Sequence, residues 1–284
     1  MTESRGGEID VRDVSKVFGM ARFAKPVVQD CSFRIKRNKL TVMIGPSGSG
    51  KSTMVQLLAG FETPTSGTIL LDGQPVTRPN KDRLVVFQET ALYPWMTTFD
   101  NILYGPKAQK RSDGSVVQAA EALLDRVGLK QFRNSYPSQL SGGMQRRAEL
   151  ARALINKPAV MILDEPFRGL DAMTKALMLE YYAQLFENSN STHFFITTDI
   201  DEAIFLADEL LIMSNRPLQV RRTLEVNLQR PRKLTEIIEN DRANQLKMTS
   251  LAILHEEAMK SFVSGHRAAA DIVQAYARRY GQPQ

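Results

Sequence analysis

Apolar residues run along the chain in two rhythms that change over at definite places. Leu40-Thr41-Val42-Met43-Ile44, Val160-Met161-Ile162-Leu163, Phe194-Phe195-Ile196-Thr197 and Glu209-Leu210-Leu211-Ile212-Met213 are short, nearly unbroken apolar runs. Such runs predict strands buried on both faces, as in a parallel sheet covered by helices. Thr68-Ile69-Leu70-Leu71, ahead of the turn residues Asp72-Gly73, predicts another strand. Residues from about 8 to 87 thus read as strands around one helix, Met54-Val55-Gln56-Leu57-Leu58-Ala59. From about 88 to 157 the rhythm is helical: Val116, Val117, Ala120, Leu123, Leu124 and Val127 recur at three- and four-residue steps before Gly128. Beyond 217, Ile237, Ile238, Leu246, Leu251, Ile253, Leu254, Phe262, Ile272, Val273 and Tyr276 predict amphipathic helices. No internal repeat is visible.

Chemistry enters at the ends of the strand-like runs. Gly45-Pro46-Ser47-Gly48-Ser49-Gly50-Lys51-Ser52-Thr53 follows the first of them and fits the G-x-x-x-x-G-K-[ST] phosphate loop in full. Glycines there let successive backbone N–H groups turn inward around phosphates. Lys51 then reaches the β- and γ-phosphates, Ser52 offers a hydroxyl to Mg²⁺, and Thr53 opens a helix whose amides face the anion. The chain is expected to bind a nucleoside triphosphate. Asp164-Glu165 ends another strand-like run, at the edge where open α/β sheets place their ligands. Such an Asp holds the Mg²⁺ shell and the Glu after it polarises the attacking water. Leu140-Ser141-Gly142-Gly143-Met144-Gln145-Arg146-Arg147 again suits phosphate contact at a helix start.

With that last segment the chain resembles the ATP-binding-cassette ATPases, whose signature is LSGG. The resemblance implies a P-loop cassette: an α/β core of RecA type, an antiparallel β subdomain and an inserted α-helical subdomain at about 88–157. It places the cassette at 8–217 and leaves a helical extension at 218–284. It assigns Gln88 to the loop that touches Mg²⁺ and feels a transport partner, Phe18 to stacking on adenine, and Asp171, in Phe167-Arg168-Gly169-Leu170-Asp171, to the D-loop. It also implies that ATP lies between two subunits, with Ser141, Gly142 and Gly143 of one completing the site of the other.

The run Gln88-Glu89-Thr90-Ala91-Leu92-Tyr93-Pro94-Trp95-Met96-Thr97-Thr98-Phe99-Asp100-Asn101-Ile102 resembles the nitrate/sulfonate/taurine-type importer ATPases within that family, as does Leu228-Gln229-Arg230-Pro231-Arg232. That implies a transmembrane permease docked at about 88–102, a separate solute-binding protein, and a cytoplasmic position held to the membrane through the permease. Trp95 reads either as an interface aromatic or as an anchor in the chain's own core. The alternative is a soluble cassette acting on nucleic acid or protein. No long coiled-coil insertion separates the phosphate loop from the signature, and no aromatic-interleaved basic patch is present, so nucleic acid is not expected.

Two departures stand out. Ile196-Thr197-Thr198-Asp199-Ile200-Asp201-Glu202-Ala203 matches the family's switch segment except that Thr198 stands where these proteins carry a histidine. Thr198 has one uncharged hydroxyl for the γ-phosphate, so slow hydrolysis is expected. His193 is no substitute, since five residues of extended strand place it roughly 16 Å away. Gln145-Arg146 also replaces the usual basic-then-glutamine pair. The retained Glu165 favours a homodimer over a heterodimer with a histidine-bearing partner.

Composition refines little else. The chain of 284 residues carries a net charge of +6, and 218–284 holds eleven basic against seven acidic residues. That basic extension suits a solvated helix face, or a regulatory or anionic-lipid surface. Cys31 is the single cysteine, which excludes an internal disulfide framework and suggests an inert buried thiol. No apolar run approaches the ~20 residues of a spanning helix, and the N-terminal residues lack a signal-peptide core.

Overall fold

The computed structural model describes residues 6–19, 24–111 and 113–280, with side chains to 260. A four-stranded antiparallel sheet is ordered β2-β1-β4-β5, from β1 (Ile9–Phe18), β2 (Lys25–Ile35), β4 (Ser66–Leu71) and β5 (Gln74–Pro75). A six-stranded sheet is ordered β10-β9-β3-β8-β7-β6. Its strands are β3 (Leu40–Ile44), β6 (Arg83–Val86), β7 (Val160–Asp164), β8 (Thr192–Thr197), β9 (Glu209–Met213) and β10 (Val220–Glu225). All neighbours in it are parallel except β10, which runs antiparallel to β9.

The apolar runs are explained by two cores, one on each face of the six-stranded sheet. Leu40, Val42, Ile44, Met161, Leu163, Phe195, Leu210 and Ile212 point to one face, where α5 (Ala172–Glu187), α6 (Ile200–Leu206) and the start of α8 (Asp241–Tyr280) pack. Met43, Val160, Ile162, Phe194, Ile196, Leu211 and Met213 point to the other, against α1 (Lys51–Ala59) and the antiparallel sheet. Alternation is present, but both phases are buried, so the sequence shows an unbroken run. A third core joins α2 (Thr98–Ala108), α3 (Gly114–Arg126) and α4 (Gly142–Leu154) through Phe99, Ile102, Leu124, Ala148 and Ala151. These helices fall in the stretch where the apolar rhythm is helical.

The boundary read from the sequence lies at 217/218. It falls just before β10, which hydrogen-bonds to β9 within the main sheet. The strand was missed because its pattern, Val220-Arg221-Arg222-Thr223-Leu224-Glu225, is that of an edge strand with mostly solvated side chains. Beyond it, Val226 and Arg232 are buried, and Arg232 donates to the carbonyls of Phe205 (2.8 Å) and Ala207 (2.8 Å) at the end of α6. After α7 (Leu234–Ile238), α8 buries Ala243 and Leu246, while Ile238 and Leu251 are exposed. The side chains of Phe262, Ile272, Val273 and Tyr276 lie outside the described residues.

Candidate nucleotide site

Parallel strands bring their carboxyl ends to one edge, and the chemistry-bearing residues leave from there. Ile44 of β3 is in register with Thr197 of β8, and Ile196 of β8 with Asp164 of β7. The phosphate loop, Thr198 and Glu165 therefore emerge from three adjacent strands, each ~5 Å from the next.

Gly50 caps α1 at φ 114°, a conformation closed to side chains, and a Cβ there would meet the Val27 carbonyl at 2.9 Å. Its neighbours Ser47 and Gly48 are exposed, whereas Ser49 is fully buried and its Oγ has no hydrogen-bond partner. Lys51 is buried to 5% exposure, and its Nζ donates to the carbonyls of Gly45 (3.0 Å) and Pro46 (2.9 Å). Burial lowers its pKa, the charges of Glu165 and Asp164 oppose that, and Arg168 adds to it. An orphaned hydroxyl and a desolvated ammonium beside the exposed backbone of Ser47 and Gly48 are what an incoming phosphate chain satisfies.

Asp164 is also pushed upward by burial and by Glu165, against the hydrogen bond from Ser52 and the charge of Lys51. Glu165 sits at φ 44°, a strained geometry for a side-chain-bearing residue, held by its N–H to the Ile196 carbonyl (2.9 Å). Its carboxylate lies 3.9 Å from Lys51 Nζ and 3.2 Å from Arg168 Nη1. Lys51, Ser52, Asp164 and Glu165 are thus one cluster.

The remaining expected residues lie around it. Ser141 caps α4, its side chain accepting from the Met144 N–H (3.3 Å), with Gly142 and Gly143 as the first helical residues. Gly143 packs closely on α5: a Cβ would fall 2.9 Å from the Thr174 methyl in its first turn, so a larger residue would need that side chain to shift. Asp171 caps α5, and hydrogen bonds from Thr174 hold its carboxyl below the usual range. Phe18 ends β1, partly exposed, with Lys16 Nζ 5.0 Å from its ring centre. Gln88 is exposed, and among the described residues no hydrogen bond or ion pair joins its side chain to the Lys51 cluster. Thr198 is exposed at the end of β8, and no hydrogen bond of its hydroxyl is present among the described residues. Its neighbour Thr197 donates to the buried Glu202, and Lys175 bridges Asp199 (2.7 Å) and Glu202 (2.8 Å). His193 is at the other end of β8, fully buried against Tyr182 and Ser191, and serves no part of the site.

Trp95 is 69% exposed, which excludes the core-anchor reading. It lies 5.5 Å from Tyr93, whose ring is 4.6 Å from Tyr104. These tyrosines line, with Phe87 and Arg152, a groove of about 410 Å³ between sheet and helices. Sequence reasoning missed what holds the Gln88 loop. Arg146 of α4 donates to the carbonyls of Phe87 (2.8 Å) and Gln88 and pairs with Glu149 (2.5 Å), which accepts from the Ala91 N–H (3.0 Å). The only signal was three charges, Arg146, Glu149 and Arg152, spaced three apart along a largely buried helix.

The ABC transporter family matches residues 28–168. A nitrate import ATP-binding protein, NrtD, of Synechococcus elongatus is 40% identical over 245 residues, covering 85% of this chain and 89% of that one. An aliphatic sulfonates import ATP-binding protein, SsuB, of Bacillus thuringiensis subsp. konkukian is 37% identical over 227 residues, covering 80% and 89%. Among solved structures, the dimeric post-hydrolysis state of the ATP-binding cassette MJ0796, bound to ADP and Pi, has a TM-score of 0.66 at 25% identity, covering 78% of this chain and all of that one. With phosphate loop, paired carboxylates and helix-capping signature set on a cassette fold, this chain belongs to the ABC transporter family as one of its ATP-hydrolysing subunits.

Proposed function

We propose that the chain is the motor of an ABC importer, closing as a pair around ATP and passing the motion to a separate permease that admits a small solute. The observation that carries the chemistry is the cluster of Lys51, Ser52, Asp164 and Glu165 at the carboxyl edge of the sheet. Lys51 and the loop amides take the phosphates, and Phe18 offers the adenine a stacking face. Glu165 orients a water in line with the γ-phosphate and accepts its proton as the bond to ADP breaks. Ser141, Gly142 and Gly143 of the partner subunit would complete each site, with Asp171 beside them.

Mg²⁺ suits this donor set: Ser52 and Asp164 are hard oxygen ligands, with Gln88 able to swing in. No group of three or more His, Cys, Asp or Glu able to hold a metal occurs among the described residues. Two protein oxygens with phosphate and water filling the rest is the coordination Mg²⁺ prefers. When bound it neutralises charge developing on the β- and γ-oxygens.

The Tyr93-Trp95-Tyr104 ladder beside the groove, with Trp95 and Tyr104 exposed, supports permease docking at 88–102. No described helix is long and apolar enough to cross a membrane, so attachment at the cytoplasmic face would run through that permease. The relatives named for nitrate and sulfonate import support an importer complex, to which this reading adds a separate solute-binding protein.

Glu165→Gln tests the reading, because it keeps shape while removing the proton acceptor. It should bind ATP with normal affinity, hydrolyse at least 100-fold more slowly, and elute as a dimer with ATP and Mg²⁺ in size-exclusion chromatography. A variant that stays monomeric, or that hydrolyses at the normal rate, defeats the proposal.

A further inference from the structure

The switch position raises a question that the geometry around Glu165 answers. Thr198 brings no charge to the γ-phosphate and is exposed, with no hydrogen bond from its hydroxyl among the described residues. Lys175, near the strand ends, is committed to Asp199 and Glu202, and His193 is buried and neutral at the opposite end of β8. Arg168 is different. Glu165 opens a turn that Arg168 closes, its N–H bonding the Glu165 carbonyl at 3.1 Å, and Phe167 between them is buried against Phe195 and Tyr182. The arginine therefore starts from a fixed base. Its side chain is 57% exposed, and its one side-chain partner among the described residues is the Glu165 carboxylate, at 3.2 Å from Nη1. That carboxylate has Lys51, the phosphate-reaching ammonium, on its other oxygen at 3.9 Å. Two cations thus flank the residue that orients the water, one from the phosphate loop and one from the D-loop.

We propose that Arg168 is a catalytic residue of this chain: its guanidinium leaves Glu165 for the γ-phosphate of bound ATP and supplies there the donor that Thr198 does not. This rests on the ATPase reading above. A planar guanidinium bonds two oxygens of a transferring phosphoryl group at once and stays protonated throughout, so it stabilises charge without exchanging protons. Water oxygen bonds to the γ-phosphorus, the bond from that phosphorus to the bridging oxygen of ADP breaks, and the water proton goes to Glu165. Arg168 only donates N–H bonds. Its transfer to phosphate also frees the carboxylate, so activation of the base and stabilisation of the anion arrive together.

The test uses the full-length chain, with turnover and ATP affinity measured separately. Arg168→Ala should lower kcat about 10- to 100-fold while the ATP dissociation constant changes no more than about 3-fold. Millimolar guanidinium should restore part of the lost turnover. Thr198→His should raise turnover more in the Arg168→Ala background than in wild type, since the two groups serve one position. An Arg168→Ala variant that turns over as fast as wild type or faster overturns the assignment, as does a loss that neither guanidinium nor Thr198→His relieves. A wild-type chain without Glu165-dependent hydrolysis overturns the ATPase reading itself, and Glu165-dependent hydrolysis with an inert Arg168 overturns this assignment alone.

Discussion

His193 shows how far a single side chain's surroundings decide its chemistry. It has no solvent exposure, and its ring nitrogens meet the Tyr182 hydroxyl (2.7 Å) and the Ser191 hydroxyl (2.8 Å). Burial, helped by the charge of Arg230, lowers its pKa from 6.5 to about 3. Between those values the unfolded chain binds a proton that the folded chain refuses. Stability from this residue is therefore full above about pH 6.5 and falls as pH drops, by about 1.4 kcal/mol per unit. Denaturant unfolding at pH 7 and pH 5 should show a loss of about 2 kcal/mol that disappears in His193→Gln, whatever that variant's own stability. An unchanged pH dependence in the variant would mean that other groups produce the loss. A histidine in the sequence of an ATPase invites a catalytic reading, but here strand position and burial make it a structural residue.

At the scale of elements, α4 joins two parts of the site. Its first residues carry the signature, and one and two turns later Arg146 and Glu149 hold the backbone of the Gln88 loop. Both are buried, and burial shifts each towards neutrality, Arg146 downward and Glu149 upward, with the partner's charge opposing in each case. Arg146→Ala strands the Glu149 charge and should cost about 3–5 kcal/mol in chemical denaturation. Arg146→Met with Glu149→Leu should recover most of that, yet speed hydrogen exchange at the Ala91 amide, which loses its acceptor. Equal exchange in the double variant would show that the loop holds itself. The phosphate loop, the paired carboxylates and the signature were legible because turn and cap chemistry is local: Gly50 needs its positive φ, and Ser141 caps three residues on. The arginine clamp was not, since its hydrogen bonds join residues nearly sixty apart and neither partner segment has a local reason to show it. Nor was β10, whose pairing depends on a neighbour and whose side chains mostly face water.

Across the whole molecule, the C-terminal segment closes the cassette as well as extending it. Arg230 and Arg232 hold carbonyls at the end of α6, and Glu257 of α8 ties Arg221 (2.7 Å) and the Asn215 N–H (3.0 Å) to the sheet. A chain ending at residue 217 would lose an edge strand and leave those carbonyls without donors, whereas one ending at 260 keeps these contacts. The shorter chain should show no cooperative melting transition and the longer one should melt within about 5 °C of the intact protein. A cooperative 217-residue chain would support the boundary expected from sequence. Cys31, in β2, has a further use at this scale. It is the one thiol of the chain, wholly buried, and desolvation, only partly offset by a hydrogen bond with the Val220 backbone, raises its pKa to about 12. The folded protein is therefore silent towards maleimides at neutral pH. One surface cysteine, such as Trp95→Cys, becomes a unique address on each subunit, and a spin label or dye placed there turns the closing pair into a molecular ruler without any native thiol having to be engineered away.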